Sequence, residues 1–192
     1  FMLKHARGLV CMPMTEDRLA RLGLRMMVAE NASPFGTAFT VSIDARSVRN
    51  RGITASGRAD TIRRAAEPDA DAGEFVVPGH VFPLRARPGG VLVRTGQTEG
   101  AVDLCRLAGL EPAGVICEIL NPDGTMARLA EIVPFAREHG LKVGTVANII
   151  EYRLQTESLV SRIATPRLPP RFGGEFNAHV YRSSVEDGEH KV

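Results

Sequence analysis

The stretch Ala113-Gly-Val-Ile-Cys-Glu-Ile-Leu120 limits the folds open to this chain more than any other. Only Glu118 breaks an otherwise apolar run. The run stops at Asn121-Pro-Asp-Gly124, whose side-chain and backbone preferences all favour a turn. A short apolar run bounded in this way reads as a strand covered on both faces, and such a sheet needs helices to cover it. Helical patterns do alternate with further β-branched runs. Gly8 to Met12, Ala38 to Ile43 and Leu141 to Val146 read as strands, and another strand ends at Leu92 and Val93. One helix is predicted from Thr15, whose hydroxyl suits an N-cap ahead of Glu16 and Asp17. Others are predicted over Ser56 to Ala66, over Thr98 to Ala108 with Gly109 closing it, over Leu129 to His139, and over Ala147 to Leu154. The pattern predicts an α/β domain whose helices cover a largely parallel or mixed sheet.

At 192 residues the chain can bury one sizeable core. Its 24 Lys and Arg against 22 Asp and Glu leave no basic surplus to hold nucleic acid or an anionic membrane. Trp is absent, which argues against a platform for stacking nucleobases. No apolar run approaches the roughly 20 residues of a membrane-spanning helix, and Phe1-Met-Leu-Lys-His5 lacks a signal-peptide pattern. Cys11, Cys105 and Cys117 stand far apart with no CxxC, as reduced thiols of a cytoplasmic protein would. The alternation fades after about residue 156, and Arg167-Leu-Pro-Pro-Arg171 reads as a linker. The strand-like pieces beyond it are too few to build a core alone.

Chemistry concentrates in Val91-Leu-Val-Arg-Thr-Gly-Gln-Thr-Glu-Gly100. A strand delivering Arg94 into a turn at Gly96, with Thr98 capping the next helix, would aim free N–H groups and a forked cation at an anion. The alternative is a well-capped helix beside an exposed arginine. Glu118 is costly to bury unless it is paired, and the carboxyl ends of strands are where α/β sheets bind ligands. It could equally mark the point where the strand reaches solvent. His80, held in Pro78-Gly-His-Val-Phe-Pro83, is placed for acid–base work or is a structural histidine. Cys11 reads as core or pocket wall, with nothing adjacent to activate a thiolate.

Taken in order, Gly36-Thr-Ala-Phe-Thr-Val-Ser42, Gly52-Ile-Thr-Ala55, Gly79-His-Val-Phe-Pro-Leu-Arg85, Gly89-Gly-Val-Leu-Val-Arg94, Thr98-Glu99, Cys117-Glu118 and Asp123-Gly-Thr-Met-Ala-Arg128 closely resemble the 3,4-dihydroxy-2-butanone 4-phosphate synthases. The resemblance runs over residues 1–155. It implies a three-layer α-β-α domain with a mixed sheet, a homodimer with active sites at the subunit interface, and a lyase of riboflavin biosynthesis. That lyase converts ribulose 5-phosphate to 3,4-dihydroxy-2-butanone 4-phosphate and formate with a divalent cation, Mg²⁺ or Mn²⁺. Carried over by position, it implies that Arg94, Thr95, Gly96, Gln97 and Thr98 hold the sugar phosphate. His80 and Glu118 match the two residues required for activity, Glu118 also touching substrate. Gln97 stands where the family has a metal-binding histidine, and Gly57 where an Asp usually precedes Arg58. The family's acidic segment, with a metal-binding Glu, is expected ahead of Phe1. Phe172-Gly-Gly-Glu-Phe176, Tyr181-Arg-Ser-Ser184 and Asp187-Gly-Glu-His190 resemble the opening of GTP cyclohydrolase II. The expected division is thus a synthase-like domain over 1–155, a linker over 156–171 and the start of a cyclohydrolase-like domain over 172–192. Two functions follow: a working lyase, or an impaired homologue that keeps the sugar-phosphate pocket as a binding or dimerisation module.

Overall fold

The computed structural model describes residues 1–168, 176–183, 185 and 189–191. Its central sheet is mixed. Strand β1 (Cys11–Met14) runs parallel to β3 (Phe75–Arg85), and β2 (Ile43–Ala45) pairs antiparallel with the other side of β3, in the order β1-β3-β2. Helix α1 (Glu16–Arg21) follows β1, and α2 (Ala55–Ala66) covers β2 and β3. Helix α3 (Gln97–Leu107) lies on β1 and is backed by α5 (Val146–Thr156), while α4 (Leu129–Glu138) stands between them in sequence. This is the α/β architecture with helices around a mixed sheet that the sequence predicts.

Alternation along the strands puts Met12, Met14, Ile43, Ala45, Phe75 and Val81 into one core with Leu19 and Leu22 near α1 and Ala65 of α2. Met12, Met14, Ile43 and Val81 are fully buried, each contributing about 1.5–3 kcal/mol by leaving water. The helix–sheet seam is pinned where the buried Thr61 hydroxyl accepts the Ala45 N–H at 3.0 Å. Behind the sheet, the Arg153 guanidinium of α5 donates to Asp103 of α3 and to the Gly89 carbonyl, both at 2.8 Å.

Toward the C-terminus, β4 (Val160–Ala164), β7 (Val180–Ser183) and β8 (Glu189–Lys191) form an antiparallel sheet, and β5 (Arg167–Leu168) pairs with β6 (Phe176–Asn177). Strands β4 and β5 fall within 156–171. Of the tail motifs, residues 172–175, 184 and 187–188 lie outside the described residues, as do 169–171 of the proline-containing stretch.

Several sequence expectations are corrected. The 113–120 run is half-buried rather than covered on both faces. It lies beside β1 through isolated bridges such as Cys11 to Ile116 and Met14 to Ala113. A full ladder cannot form because Pro13 has no N–H: Gly114 donates to the Pro13 carbonyl at 2.9 Å and receives nothing back. Leu92 and Val93 end no strand; Gly90–Leu92 is a 3₁₀ turn, with Val93 N–H returning to the Gly90 carbonyl. Leu141 to Val146 is not a strand either. The N–H groups of Gly140 and Leu141 turn back onto the Arg137 and Ala136 carbonyls and close α4 in a Schellman motif, leaving 141–145 exposed. Finally, α3 starts one residue earlier than expected. Gly96 is its N-cap, and Thr98 is a buried residue of the first turn rather than the cap.

Candidate active site

The turn between Gly90 and α3 brings Arg94 to Thr98 against the half-buried 113–120 run. Arg94, Thr95, Gly96, Gln97, Thr98 and Glu118 together line one open cavity of about 540 Å³. Its remaining walls include Cys11 of β1, Leu84 of β3, and Phe35 and Thr37 of the loop before β2. Segments far apart in sequence thus converge on one space, which the strand-to-helix spacing alone left open.

The Arg94 guanidinium is fixed from two sides. It donates to the Glu99 carboxylate at 2.6 Å and to the Phe35 carbonyl at 3.0 Å. Glu99 is 1% exposed and takes a second bond from the Arg87 N–H at 3.0 Å. The charge of Arg94 is therefore offset by a buried partner, while the remaining donors of its five N–H groups stay available. At the start of α3 the N–H groups of Gln97, Thr98 and Glu99 have no intrahelical acceptor. A β-carbon at Gly96 would lie 2.3 Å from Arg94 Nη1 and 2.6 Å from Glu99 Oε2. Glycine at this position is what lets the ion pair pass beneath the turn. The Thr98-Glu99 pair belongs to the resemblance, but the anchoring role of Glu99 shows only in the packing.

Glu118 is positioned by the segment ahead of β1. Its Oε2 accepts the Leu9 N–H at 3.0 Å, and the Gly8 N–H bonds its carbonyl at 3.2 Å. Burial, then Glu118, then Cys117 push the Cys11 thiol up to about 12. Cys11 is thus a neutral wall of the cavity, in line with the absence of an activating neighbour in the sequence.

His80 is not among the residues lining this cavity. It lies on β3 four residues before Leu84, about 13 Å away along a strand. Its Nδ1 lies 2.6 Å from Asp44 Oδ2, and its backbone N–H donates to Asp44 Oδ1 at 3.0 Å. Asp44 is buried, whereas the His80 side chain is 46% exposed. Sequence reading missed Asp44. Its signal, an acid inside the otherwise apolar strand β2, is visible only once β2 is paired with β3.

The cavity does not by itself offer a divalent-cation site. Among the described residues no cluster of three or more His, Cys, Asp or Glu side chains is placed to hold a metal ion. Among the described residues Glu118 is the only carboxylate lining the cavity; Gln97 adds an amide oxygen, and Thr37, Thr95 and Thr98 add neutral hydroxyls. Mg²⁺ is held through one or two carboxylates with water and substrate oxygens filling its octahedron, so one carboxylate with neutral oxygens does not by itself provide a charged cage.

In sequence and in fold the chain is similar to one group of known proteins. The sequence profile of the 3,4-dihydroxy-2-butanone 4-phosphate synthases matches residues 1–152. The chain is 56% identical to the 3,4-dihydroxy-2-butanone 4-phosphate synthase of Pseudomonas aeruginosa over 99% of its own length and 52% of that protein's. It is 52% identical to the riboflavin biosynthesis protein RibBA of Aquifex aeolicus, covering 47% of that protein. It therefore spans about half the length of the curated relatives it matches. Among solved structures, RibBX of A. baumannii, a two-domain 3,4-dihydroxy-2-butanone 4-phosphate synthase, superposes with a TM-score of 0.87 at 44% identity, over 100% of this chain and 56% of that one. A 3,4-dihydroxy-2-butanone 4-phosphate synthase in complex with two magnesium ions superposes with a TM-score of 0.77 at 46% identity, over 81% and 78% of the two chains. The chain belongs to the 3,4-dihydroxy-2-butanone 4-phosphate synthase family.

Proposed function

We propose that this chain carries a 3,4-dihydroxy-2-butanone 4-phosphate synthase activity of riboflavin biosynthesis, converting D-ribulose 5-phosphate to 3,4-dihydroxy-2-butanone 4-phosphate and formate. The observation that carries this reading is the meeting of the Arg94–Thr98 turn and Glu118 in one cavity. The free N–H groups of α3 and the spare donors of Arg94 suit the three outer oxygens of a phosphate. Glu118 then faces the sugar carbons, where a carboxylate can take or return a proton next to the ketone. The atoms of the substrate divide between the two products, so no co-substrate is required.

His80 is assigned the second acid–base role. Its position outside the cavity of its own chain supports a homodimer in which a second copy completes the site. The working enzyme takes Mg²⁺ or Mn²⁺ in this reading; the magnesium-bound relative supports Mg²⁺, but Gln97 and Glu118 do not make a complete shell, and no step is assigned to the cation. The end of the profile match at residue 152 and of α5 at Thr156 supports a synthase-like domain over 1–155, followed by a linker over 156–171 and a cyclohydrolase II-like opening over 172–192. The three free cysteines suit a cytoplasmic setting. The balanced charge suits a small-molecule partner rather than nucleic acid or a membrane.

A second reading is an impaired homologue that keeps the fold and the sugar-phosphate pocket as a binding or dimerisation module. It is favoured by one observation, the uncharged Gln97 in a cavity with a single carboxylate. Formate release from ribulose 5-phosphate by the full-length protein, with Mg²⁺ or Mn²⁺ present, separates the two. Turnover supports the lyase. Ribulose 5-phosphate binding without turnover supports the module.

A further inference from the structure

Between the paired residues Val76 and Val81 the long strand β3 leaves its partner. Asp44 of β2 pairs with Val76 and the adjacent Ile43 with Val81, so Val77 to His80 bulge away from the ladder. Two backbone N–H groups in the bulge are taken by side chains on or next to β2. Ser42 Oγ accepts from Gly79 at 3.1 Å, and Asp44 Oδ1 accepts from His80 at 3.0 Å. The second oxygen of the same carboxylate lies 2.6 Å from the His80 ring at Nδ1. A β-carbon at Gly52 would sit 2.2 Å from Asp44 Oδ2 and 2.8 Å from His80 Nδ1, so the chain is packed tightly around this pair.

We propose that Asp44 is a positioning residue for the reaction: one carboxylate grips both the backbone and the ring of His80, fixing the neutral imidazole with its proton on Nδ1 and presenting Nε2 as the working atom. The proposal rests on the acid–base role given to His80 above. An ionised carboxylate only accepts, so a neutral ring bound to it at Nδ1 must carry the proton there. Free imidazole has no such constraint, and a histidine in the wrong tautomer offers a donor where the reaction needs an acceptor. The two-point grip also fixes the angle of the ring, because Oδ1 holds the peptide from which the side chain springs. The bulge serves this geometry. In an unbroken ladder the His80 N–H would be spent on β2 backbone, and Asp44 would hold the ring alone.

The test uses the full-length protein and two independent measurements. Long-range ¹H–¹⁵N correlations of the His80 ring in the unmodified protein are expected to show the Nδ1–H tautomer, and an Nε2–H ring there would overturn the proposal whether or not any variant folds. In Asp44→Asn, which keeps the shape, the expected result is a mixed or Nε2–H ring and a fall in kcat on the order of 10²-fold with KM changed by less than about 3-fold, while Asp44→Glu recovers part of the loss. Unchanged kcat in a folded Asp44→Asn protein would overturn it. His80→Ala separates the two readings. If that variant is as active as the unmodified protein, the acid–base role of His80 fails. If it is inactive while Asp44→Asn is fully active, only the positioning role fails.

Discussion

Arg94 and Glu99 form a 2.6 Å ion pair in which the acid is 1% exposed and the base 28%. The pair does two jobs for the Arg94–Thr98 turn. It holds the guanidinium at the cavity wall, and through its second bond from the Arg87 N–H it ties that wall to the chain leaving β3.

Replacing Glu99 by Ala strips the acceptor from both Arg94 and the Arg87 N–H. Breaking a buried pair from one side costs about 3 kcal/mol or more. Urea denaturation is expected to show that loss. In whatever fraction remains folded, the KM for ribulose 5-phosphate is expected to rise.

Gly96→Ala acts on the same pair from above. Its methyl group would stand 2.3 Å from Arg94 Nη1, so the guanidinium must move. Overpacking of this kind costs about 1–3 kcal/mol. A higher KM than in the unmodified protein, with α-helical content unchanged by circular dichroism, is the expected result.

Glu118→Gln keeps an oxygen to accept the Leu9 N–H and removes only the charge. Thermal stability is expected to stay within about 0.5 kcal/mol, while formate release drops at least 10²-fold, in proportion to the loss of a positioned base. Loss of stability without loss of turnover would contradict the assigned role.

Gln97→His places a nitrogen ligand in the cavity that Glu118 also lines. Mn²⁺ binding followed by electron paramagnetic resonance is expected to tighten by about tenfold, equal to about 1.4 kcal/mol. Equal affinity before and after the change would remove Gln97 from the account of cation binding.

A pH response is expected near the first turn of the chain. His5 stacks on Phe1 and meets His139 edge-on, each at 4.7 Å between ring centres. Burial, then His139 and Lys4, hold the His5 imidazolium below the ordinary 6.5. The unfolded chain therefore binds more protons than the folded one just below pH 6.5, so stability falls as pH drops through that window. In His5→Phe the melting temperature should fall less over the same pH range.

Helices α2, α3 and α5 were legible within a residue or two because their stop signals are local. Gly109 turns its N–H back onto the end of α3, and Thr145 caps α5 through Asn148. Strands fared worse. Leu141 to Val146, with two valines and a threonine, is more strand-like in composition than Cys11 to Met14, which has no β-branched residue, but a strand exists only where a neighbour supplies its hydrogen bonds.

The sequence by itself determined the α/β class, the family, and the turn that leads into α3, because helix caps, turn residues and ordered motifs act over a few residues. Tertiary structure alone decided the rest. It joined Arg94 to Thr98 with Glu118 in one cavity, and it set His80 apart from that cavity and against Asp44. It also made Glu99 the buried anchor of Arg94. These relations link residues between 5 and 36 positions apart, where strand register and packing rather than local preference set who meets whom. That is why Gln97 reads in the sequence as one substituted letter, and in the fold as an uncharged oxygen donor in a cavity lined, among the described residues, by a single carboxylate.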